Sequence, residues 1–249
     1  MTAAVMSRTS MPCYKSLSII ISTFNEVRHG YIKKILDELC GIEGVEIIIV
    51  DGGSSDGTEK LCKSVADRFF LIQNSSRGQR MNYGYKMSKG DILLFHHPRS
   101  FISKHAIDEL KKFYADAGKE CWGGFTHRFD RDSTGLRFTS WYSNHIRRRI
   151  SGIIYLDHCI FATRNLIEKA GGFPERAIFE DTVFSRRLYK FSRPLLLKNN
   201  SITNSVRFEK NGFLIQSIMN QVMKICFLCN MSDLRMNAIY EKGLNLNKR

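Results

Sequence analysis

Short apolar runs alternate with polar, glycine-containing stretches through the first half of the chain. The runs cover residues 17–22, 47–50, 69–72 and 91–95. Continuous runs of this length, rich in β-branched residues, are typical of strands buried on both faces of a parallel sheet. Between them, apolar residues recur at helical spacing at 31, 32, 35, 36 and 39, and a helix is predicted over about 56–68. Residues 17–72 therefore predict a β-α-β-α-β unit with right-handed crossovers.

The second half is less regular. It predicts a strand over 121–129, a strand-like stretch over 152–163 interrupted by Asp157 and His158, and a short helix over 164–170. Residues 179–182 precede a further helix that runs through Lys190, and two amphipathic helices follow over 213–229 and 232–242. The apolar side of the first amphipathic helix either packs on the sheet or lies on a membrane surface.

Three polar segments, 23–26, 51–54 and 96–100, follow predicted strands at their carboxyl ends. In a parallel sheet these ends converge on one rim, where open α/β sheets bind their ligands. At the middle segment Asp51 ends the strand, and Gly52-Gly53 allows a sharp turn and close approach of a ligand. Ser54, Ser55 or Asp56 can then cap the next helix. In isolation this segment is also compatible with an ordinary strand-turn-helix junction.

The amino-acid composition restricts the classes of binding partner but does not select one of them. Lys and Arg number 38 against 24 Asp and Glu, giving a net charge of +14. Such a balance favours nucleotide diphosphates, an acidic membrane surface or nucleic acid. Neither GxxxxGK[ST] nor GxGxxG occurs, which removes the P-loop and dinucleotide fingerprints.

Seven scattered cysteines fit a reducing cytosol better than a disulfide framework. Cys226 and Cys229 form a CxxC, but a tetrahedral zinc site needs further ligands, so core packing is the favoured interpretation. No apolar run approaches the roughly 18 residues of a membrane span, and the first 15 residues lack the apolar segment of a signal peptide. We therefore expect a cytoplasmic location, and peripheral association at the inner membrane face is left open.

Four segments in this order resemble the family 2 glycosyltransferases, which have the GT-A fold. They are SIIISTFNE (18–26), IIIVDGGSSDGT (47–58), RGQRMNYGYKMSKGDILLF (77–95) and AGGFPERAIFEDTVFSRRL (170–188). The third and fourth resemble a bacterial subgroup with an Arg-Gly...Met-Asn-x-Gly segment and a Glu-Asp motif. The resemblance covers roughly residues 17–242. It implies sugar transfer from a nucleotide diphosphate donor, usually a UDP-sugar, with inversion at the anomeric carbon.

The resemblance assigns the first two strand ends to the nucleotide. There a glutamate at the position of Glu26 accepts from ribose hydroxyls, and an aspartate matched by Asp51 accepts from the base N–H. Buried pairing of this kind gives base selectivity, because a wrong base leaves polar groups unpaired. The nucleotide-binding residues predicted in this way are Thr23, Asn25, Glu26, Asp51, Gly53 and Ser54.

The resemblance also assigns the donor side and the catalytic base. Arg80 and Asn82 match positions that face the donor diphosphate or sugar. Asp181 matches the general base that takes the proton of the acceptor hydroxyl. Glu180 beside it would raise the pKa of Asp181 by like-charge repulsion. Taken alone, two acids at a predicted helix start are also explained by the helix dipole.

The pattern breaks at the end of the fourth strand. The family has Asp-x-Asp there, or His-Ala-Asp in the subgroup, and the last Asp binds Mg²⁺ or Mn²⁺; this chain has His97-Pro98-Arg99. A fixed positive charge ~4 Å from a divalent ion, at an effective dielectric of ~20, would cost on the order of 8 kcal/mol. Arg99 can instead pair with the donor phosphates and stabilise the leaving group without a metal. His97 is left as the candidate metal ligand, although one imidazole makes a poor Mg²⁺ site.

Asp157 and His158 are predicted acceptor-side residues. The basic groups at 147–149 and 186–187 weakly favour a phosphorylated or lipid-linked acceptor, and a solvated face is the default interpretation of the run 147–149. The expected division is a flexible tail over 1–15 and one GT-A domain over 16–242. Within that domain we predict a nucleotide-binding half (about 16–118), an acceptor-side half (about 119–210) and C-terminal helices (211–242).

Three hypotheses follow. The first is an active inverting glycosyltransferase, favoured because Asp51 and Asp181 are both retained. The alternative is a nucleotide-sugar-binding pseudoenzyme that keeps the fold without catalysis. A nucleic-acid binder rests on the +14 charge alone, and since no nucleic-acid module is recognisable, no such partner is expected.

Overall fold

The sheet is built around β1 (Leu17–Thr23), a strand whose residues are all buried. In this computed structural model, which describes residues 16–117 and 120–241, β1 pairs in parallel with β2 (Val45–Asp51) and with β4 (Ile92–His96). β2 in turn pairs in parallel with β3 (Arg68–Leu71). The predicted parallel unit is therefore confirmed, and the tail predicted over 1–15 lies outside the described residues.

The second half of the chain extends the same sheet. β7 (Ile160–Thr163) runs antiparallel to β4 and to β6 (Trp122–Phe129). β6 is parallel to β8 (Leu195–Thr203), and β8 is antiparallel to the short β5 (Ser100–Phe101). The strand order is β3-β2-β1-β4-β7-β6-β8-β5. The predicted α/β class is confirmed, with a sheet that is parallel in its first half and mixed in its second.

Helices flank this sheet. Their bounds are α1 (Tyr31–Leu39), α2 (Thr58–Lys63), α3 (Arg77–Met87), α4 (Lys104–Ala117), α5 (Thr134–Trp141), α6 (Arg148–Ser151), α7 (Arg164–Ala170), α8 (Glu180–Tyr189), α9 (Val206–Asn211), α10 (Phe213–Leu228) and α11 (Asp233–Glu241). A π-helical segment, Tyr142–Arg147, joins α5 to α6, and 3₁₀ turns cover Val27–His29 and Leu156–His158. None of the described helices combines the length and apolar character needed to cross a bilayer.

Two sequence predictions need correction. The helix predicted over 56–68 is the shorter α2. Asp67, just before β3, accepts a hydrogen bond from the backbone N–H of Ile47, so the chain has already left the helix and approached β2. The stretch 152–163 is a strand only from Ile160 onward. Before it, the 3₁₀ turn at Leu156–His158 ends at Cys159, whose φ of 52° is left-handed and breaks the extended conformation.

Alternate residues of β1 contribute to separate cores on the two faces of the sheet. Ile19 and Ile21 pack in one cluster with Leu110 of α4, while Ile20 packs in the other with Met81 of α3. Period-two alternation of this kind is what a strand buried on both faces requires. The helix α3 is thereby held against β1, with its first turn at the carboxyl end of the sheet.

The contact between α3 and β1 generates a stability prediction. A Cβ atom on Gly84 would lie 2.6 Å from Cγ2 of Ile20 and 3.3 Å from Cγ2 of Val50, both fully buried. We expect Gly84→Ala to lower the free energy of unfolding by about 1–3 kcal/mol, because this overpacking outweighs the helix propensity gained. Denaturant unfolding measures it, with the exposed Lys86→Ala on the same helix as control. Equal stability of the two variants would contradict the close packing.

Candidate active site

A large cleft of about 1470 Å³ opens at the carboxyl ends of the central strands. The strand register sets Thr23 beside Asp51 and Ile21 beside His96, so the three polar segments do meet at one rim. Residues from α5, from the π-helical segment and from α10 form the opposite side. Eight predicted site residues line the cleft: Asn25, Glu26, Gly53, Arg80, His97, Arg99, Asp157 and Asp181. The other six lie behind its surface: Thr23, Asp51, Ser54, Asn82, His158 and Glu180.

The Asp51 carboxylate is fully buried beneath the cleft floor. Its Oδ1 accepts from the backbone N–H groups of Gly53 (2.9 Å) and Ser54 (2.7 Å). Its Oδ2 accepts from the hydroxyls of Thr23 and Ser54, both at 2.7 Å. These bonds occupy the four acceptor sites of the carboxylate. In this structure Asp51 forms with Thr23 and Ser54 a buried clasp that shapes the turn, and its contact with the base stays a prediction.

The backbone of the turn at Gly52-Gly53 faces the cleft. Gly53 has a φ of 97°, which glycine adopts without steric cost. A Cβ atom on Gly52 would lie 2.5 Å from Nη1 of Arg80, so the guanidinium group fills the space under the turn. Arg80 is itself buried and donates to the Ser22 hydroxyl at 2.8 Å and to the Ser75 carbonyl at 2.5 Å. Arg80 thus borders the cleft while it supports the floor.

Glu26 and Arg99 form a two-pronged ion pair in the cleft wall. Nε donates to Oε2 at 2.8 Å, and Nη2 donates to Oε1 at 3.2 Å. Only 4% of Glu26 and 8% of Arg99 is exposed. Charges buried to this degree need such matched geometry to offset their desolvation. Glu26, predicted for ribose, and Arg99, predicted for phosphate, are therefore bonded to each other in this structure.

The residues at this end of the cleft do not fit Mg²⁺ or Mn²⁺. Arg99, bonded to Glu26, sets a positive charge there, and Nδ1 of His97 accepts from the backbone N–H of Arg99 at 3.2 Å. Burial, together with the cations Arg77 and Arg99, holds the pKa of His97 well below its usual range. Across residues 16–117 and 120–241, no three His, Cys, Asp or Glu side chains are grouped to hold a metal. The geometry does not support His97 as a metal ligand.

Asn82 anchors a loop. Its Nδ2 donates to the carbonyl of Phe173 at 2.8 Å, and its Oδ1 accepts from the backbone N–H of Phe173, also at 2.8 Å. Both ends of the amide are used in these two bonds, and the contact of Asn82 with the donor stays a prediction. The clamp ties α3 to the segment that leads into α8, and so it sets where Glu180 and Asp181 lie.

The two carboxylates at the start of α8 have different surroundings. Glu180 is 1% exposed and accepts a short hydrogen bond from Nε of Arg77, the first residue of α3. Asp181 borders the cleft and accepts from the backbone N–H groups of Leu156 (3.0 Å) and Thr182 (2.6 Å). Arg77 also lines the cleft, so it links the acidic helix start to the region of Arg99.

The pKa of Asp181 is shifted towards neutral pH. Burial raises the pKa of Asp181 to about 6, the neighbouring Glu180 adds to the increase, and Arg77 opposes it. The direction agrees with the sequence prediction, although burial and not Glu180 is the main cause. A carboxylate with this pKa can accept a proton efficiently near pH 7.

Asp157 faces the cleft from the 3₁₀ turn, with Oδ2 3.5 Å from Nε2 of His127. Burial disfavours its ionised form, but His127, His158 and Arg147 outweigh burial and hold the pKa of Asp157 below its usual range. In the described part of the chain, Oδ1 of Asp157 and Nε2 of His127 are buried without a hydrogen-bond partner. Buried polar atoms of this kind commonly mark a missing water, ion or ligand.

His158 supports this turn from behind. Its Nδ1 lies 2.9 Å from the carbonyl of Phe125, so Nδ1 carries the proton, and Nε2 accepts from the Ser143 hydroxyl at 2.7 Å. Burial lowers the pKa of His158 to about 3. Both ring nitrogens of His158 thus contact groups of the chain, and its acceptor-side role stays a prediction.

Sequence analysis did not select Arg77 or His127 as site residues. Their partners Glu180 and Asp157 are distant in the chain, and no local pattern indicates the pairing. One signal was available: a cation in the first turn of a helix opposes the helix dipole, which suggests a specific acidic partner. Arg147 was assigned to a solvated run, but it lines the cleft and lies 3.6 Å from the ring centroid of Tyr155.

This sheet order, with polar strand ends facing an acidic helix start, is the architecture of GT-A glycosyltransferases. TarS 1–349 from S. aureus in complex with UDP-GlcNAc superposes with a TM-score of 0.61 at 16% identity, covering 92% of this chain and 72% of that chain. Glucosyl-3-phosphoglycerate synthase from Mycobacterium tuberculosis, in complex with Mn²⁺, UDP and glucosyl-3-phosphoglycerate, gives 0.59 at 15%, covering 88% and 81%. At these identities the likeness establishes the fold.

The chain belongs to glycosyl transferase family 2, whose family model matches residues 18–170. An uncharacterised glycosyltransferase of Rickettsia typhi is 33% identical over 104 residues, which are 39% of this chain and 32% of the relative. The minor teichoic acid biosynthesis protein GgaB of Bacillus subtilis is 25% identical over 95 residues, 36% of this chain and 11% of that protein. The matches thus span a third or less of these relatives.

The raised pKa of Asp181 predicts how stability varies with pH. In the unfolded chain this carboxyl ionises near 3.8, whereas in the folded chain it keeps its proton up to about 6. Between these values the folded state binds more protons, so the contribution of Asp181 to the free energy of unfolding falls by on the order of 2 kcal/mol as pH rises. Asp181→Asn should therefore gain stability relative to the wild type between about pH 4 and about pH 6.

Chemical denaturation across this pH range measures the gain. Asp108→Asn, an exposed carboxylate on α4, is the matched control and should show no such gain. A constant stability difference between Asp181→Asn and the wild type across the range would contradict the raised pKa.

Proposed function

We propose that this chain is an inverting glycosyltransferase that moves a sugar from a nucleotide diphosphate donor, with UDP-sugars the first class to test, to an acceptor hydroxyl. The observation that carries the proposal is a single cleft lined by the Gly52-Gly53 turn, by the guanidinium groups of Arg77 and Arg99, and by Asp181. The carboxylate of Asp181 has a pKa of about 6. Its membership of glycosyl transferase family 2 supports the reaction class. The UDP-GlcNAc bound by the S. aureus neighbour and the UDP bound by the M. tuberculosis neighbour support the donor class.

In this proposal Asp181 is the general base. The acceptor O–H gives its proton to the Asp181 carboxylate while its oxygen bonds to the anomeric carbon. The bond from that carbon to the donor phosphate oxygen breaks, and the nucleoside diphosphate departs with the bonding electrons. Attack from the face opposite the leaving group inverts the anomeric configuration. Glu180 assists by its charge, because its repulsion keeps Asp181 basic enough for the transfer.

Arg77 and Arg99 take the electrostatic role that a divalent ion has elsewhere in the family. Both line the cleft near His97, and both lower its pKa, which indicates positive potential there. Guanidinium groups pair well with phosphate oxygens and can stabilise charge as it develops on the leaving group. Each is held by a buried carboxylate, Glu26 for Arg99 and Glu180 for Arg77, and so is oriented before the donor binds.

The nucleoside is assigned to the glycine turn and the loop after β1. Asn25, Gly52 and Gly53 line that end of the cleft. With Asp51 occupied in the clasp, the polar groups offered to the base and ribose come from this loop, from Glu26 and from the backbone of the turn.

The acceptor is assigned to the side of the cleft that contains Asp157. Asp157 and His127 each offer a buried polar atom without a partner among the described residues, suited to hydroxyl groups of an acceptor. Arg147 and Lys224 line the same cleft, and burial together with Arg147 lowers the pKa of Lys224. Two cations this close favour an acceptor that carries a phosphate or another anionic group.

The alternative is a nucleotide-sugar-binding protein without turnover. The Glu26–Arg99 ion pair favours it, because the cation that would replace the metal is already neutralised by a carboxylate. This alternative predicts donor binding that is indifferent to chelators, with no release of free UDP.

Calorimetry across a nucleotide panel, followed by assays of UDP release from UDP-sugars, separates these hypotheses. The wild type should bind a nucleoside diphosphate and slowly release UDP even without acceptor. Asp181→Asn should lower turnover by at least about a hundredfold, the usual contribution of a general base, and leave UDP affinity within about twofold. Asp108→Asn on α4 is the carboxylate control and should behave as the wild type.

The outcomes are distinct. Failure to bind any nucleoside diphosphate rejects the donor class, and binding without turnover supports the alternative. Unchanged turnover in Asp181→Asn removes Asp181 from the role of base.

A second test concerns metal independence. Wild-type donor binding should not change with EDTA, because Arg77 and Arg99 supply the positive charge. Arg99→Asp should weaken UDP binding by about tenfold to a hundredfold. Added Mn²⁺ should recover part of that loss, since Glu26 and the new carboxylate can then share a cation.

Arg99→Gln and Arg99→Lys are the matched controls. Arg99→Gln should lose affinity without gaining a response to Mn²⁺, and Arg99→Lys should keep metal-indifferent binding. If Arg99→Asp, shown to be folded by its thermal transition, changes neither affinity nor metal response, Arg99 does not act on the phosphates.

A further inference from the structure

The helix α10 exposes its apolar side to solvent. Leu214, Ile218, Ile225 and Leu228 are 55–69% exposed, with Ile215 and Val222 between them on the same side. The inward side carries the buried Gln216 and Met223. Most of the large aliphatic side chains of α10 thus face solvent, whereas the apolar stripe of a usual surface helix faces the core. A stripe of this kind along about 24 Å of helix is a binding surface and not ordinary surface variation.

A second exposed surface lies on the continuous helix formed by α5, the π-helical segment and α6. Phe138, Trp141 and Tyr142 are 62%, 49% and 40% exposed, and the rings of Phe138 and Trp141 stack with centroids 5.9 Å apart. Arg137 and Arg149 are exposed on the same helix. Trp and Tyr together with basic residues are the side chains enriched where proteins meet the headgroup level of a bilayer.

The two surfaces border the same cleft. Phe213, at the start of α10, packs so tightly on α5 that a Cβ atom on Gly135 would lie 2.5 Å from its ring. Phe138 and Tyr142 line the cleft from one side, and Gln221 and Lys224 of α10 line it from the other. We call the exposed side chains of α10 and of the α5–α6 helix the mouth face. It contains the stripe on α10 and, on the other helix, Arg137, Phe138, Trp141, Tyr142 and Arg149.

The mouth face is basic as well as apolar. Neither 134–151 nor 212–232 contains an Asp or Glu, and the exposed cations of this face are Arg137, which lies 3.5 Å from Asp132, and Arg149. We propose that the mouth face docks on an anionic lipid bilayer, with the apolar stripe in the headgroup and acyl boundary and the cleft opening towards the lipid surface. A second copy of the chain fits less well, because self-pairing would set these cations against one another. The inference does not depend on the proposed sugar transfer.

Vesicle co-sedimentation with the full chain tests the proposal. Vesicles of equal parts phosphatidylglycerol and phosphatidylcholine should bind the wild type, and pure phosphatidylcholine vesicles should bind it weakly. Ile218→Glu with Ile225→Glu should reduce binding to the anionic vesicles at least about tenfold, because two exposed apolar contacts are replaced by repelled charges. Leu71→Glu, an exposed apolar residue on β3 at the far edge of the sheet, should leave binding unchanged.

A charge series tests the electrostatic part. Arg149→Gln should weaken binding to the anionic vesicles about fivefold, and raised salt should weaken it further. Lys112→Gln, an exposed cation on α4, should have no effect.

Absence of binding to anionic vesicles overturns the proposal, as does equal loss in Leu71→Glu and in the double variant. A wild-type dimer that the double variant dissociates, seen by sedimentation velocity together with no vesicle binding, would assign the stripe to a second copy instead.

Discussion

The cleft depends on one constraint: a charge removed from water must be paired. Arg99 is paired with Glu26, and Arg77 is paired with Glu180; three of these four side chains are more than nine-tenths buried. Removing either partner of such a pair would leave a buried charge uncompensated, at a cost of about 3–5 kcal/mol. The presence of arginine at position 99 therefore affects more than that residue, because the ion pair fixes the ionised state of Glu26 as well. The side chains of Arg77 and Arg99 thus supply a positive potential at this end of the cleft.

The rest of the first half serves to hold these pairs in place. The Asp51 clasp shapes the glycine turn, and the Asn82 clamp sets the loop ahead of α8, so two polar residues close to the site act on its geometry. Burial at the start of α8 then raises the pKa of Asp181, whereas His127, His158 and Arg147 lower that of Asp157. Two carboxylates in one cleft are thus given different protonation behaviour by their neighbours, the usual basis for separating the roles of acid and base groups.

The parts predicted well from the sequence are those in which a local pattern decides the structure. Apolar runs correctly predicted β1, β2 and β4, and helical spacing correctly predicted α1, α7 and α10. The strand β8 was missed because Lys198, Asn199 and Asn200 interrupt its apolar pattern, and tertiary pairing with β6 overrides that. At the site, sequence identified which polar residues gather at the rim but not which way their atoms point. The intramolecular bonds of Asp51 and Asn82 were not predicted for this reason, and Arg77 was missed because its partner lies far along the chain.

The exposed apolar stripe of α10 lies on the outer side of a helix that also lines the cleft. Its inward side contributes Met223 and Lys224 to the cleft, so one helix is both a wall of the cavity and an apolar outer surface. A lipid surface against the mouth face would exclude water from the cleft opening while the basic residues of 147–149 remain near the headgroups. Lower effective dielectric strengthens the interactions of Arg77, Arg99 and Asp181 with any bound substrate. The unusual polarity of α10 and the paired buried charges are then two parts of one arrangement, in which an acceptor held at the bilayer would reach Asp181 without passing through bulk solvent.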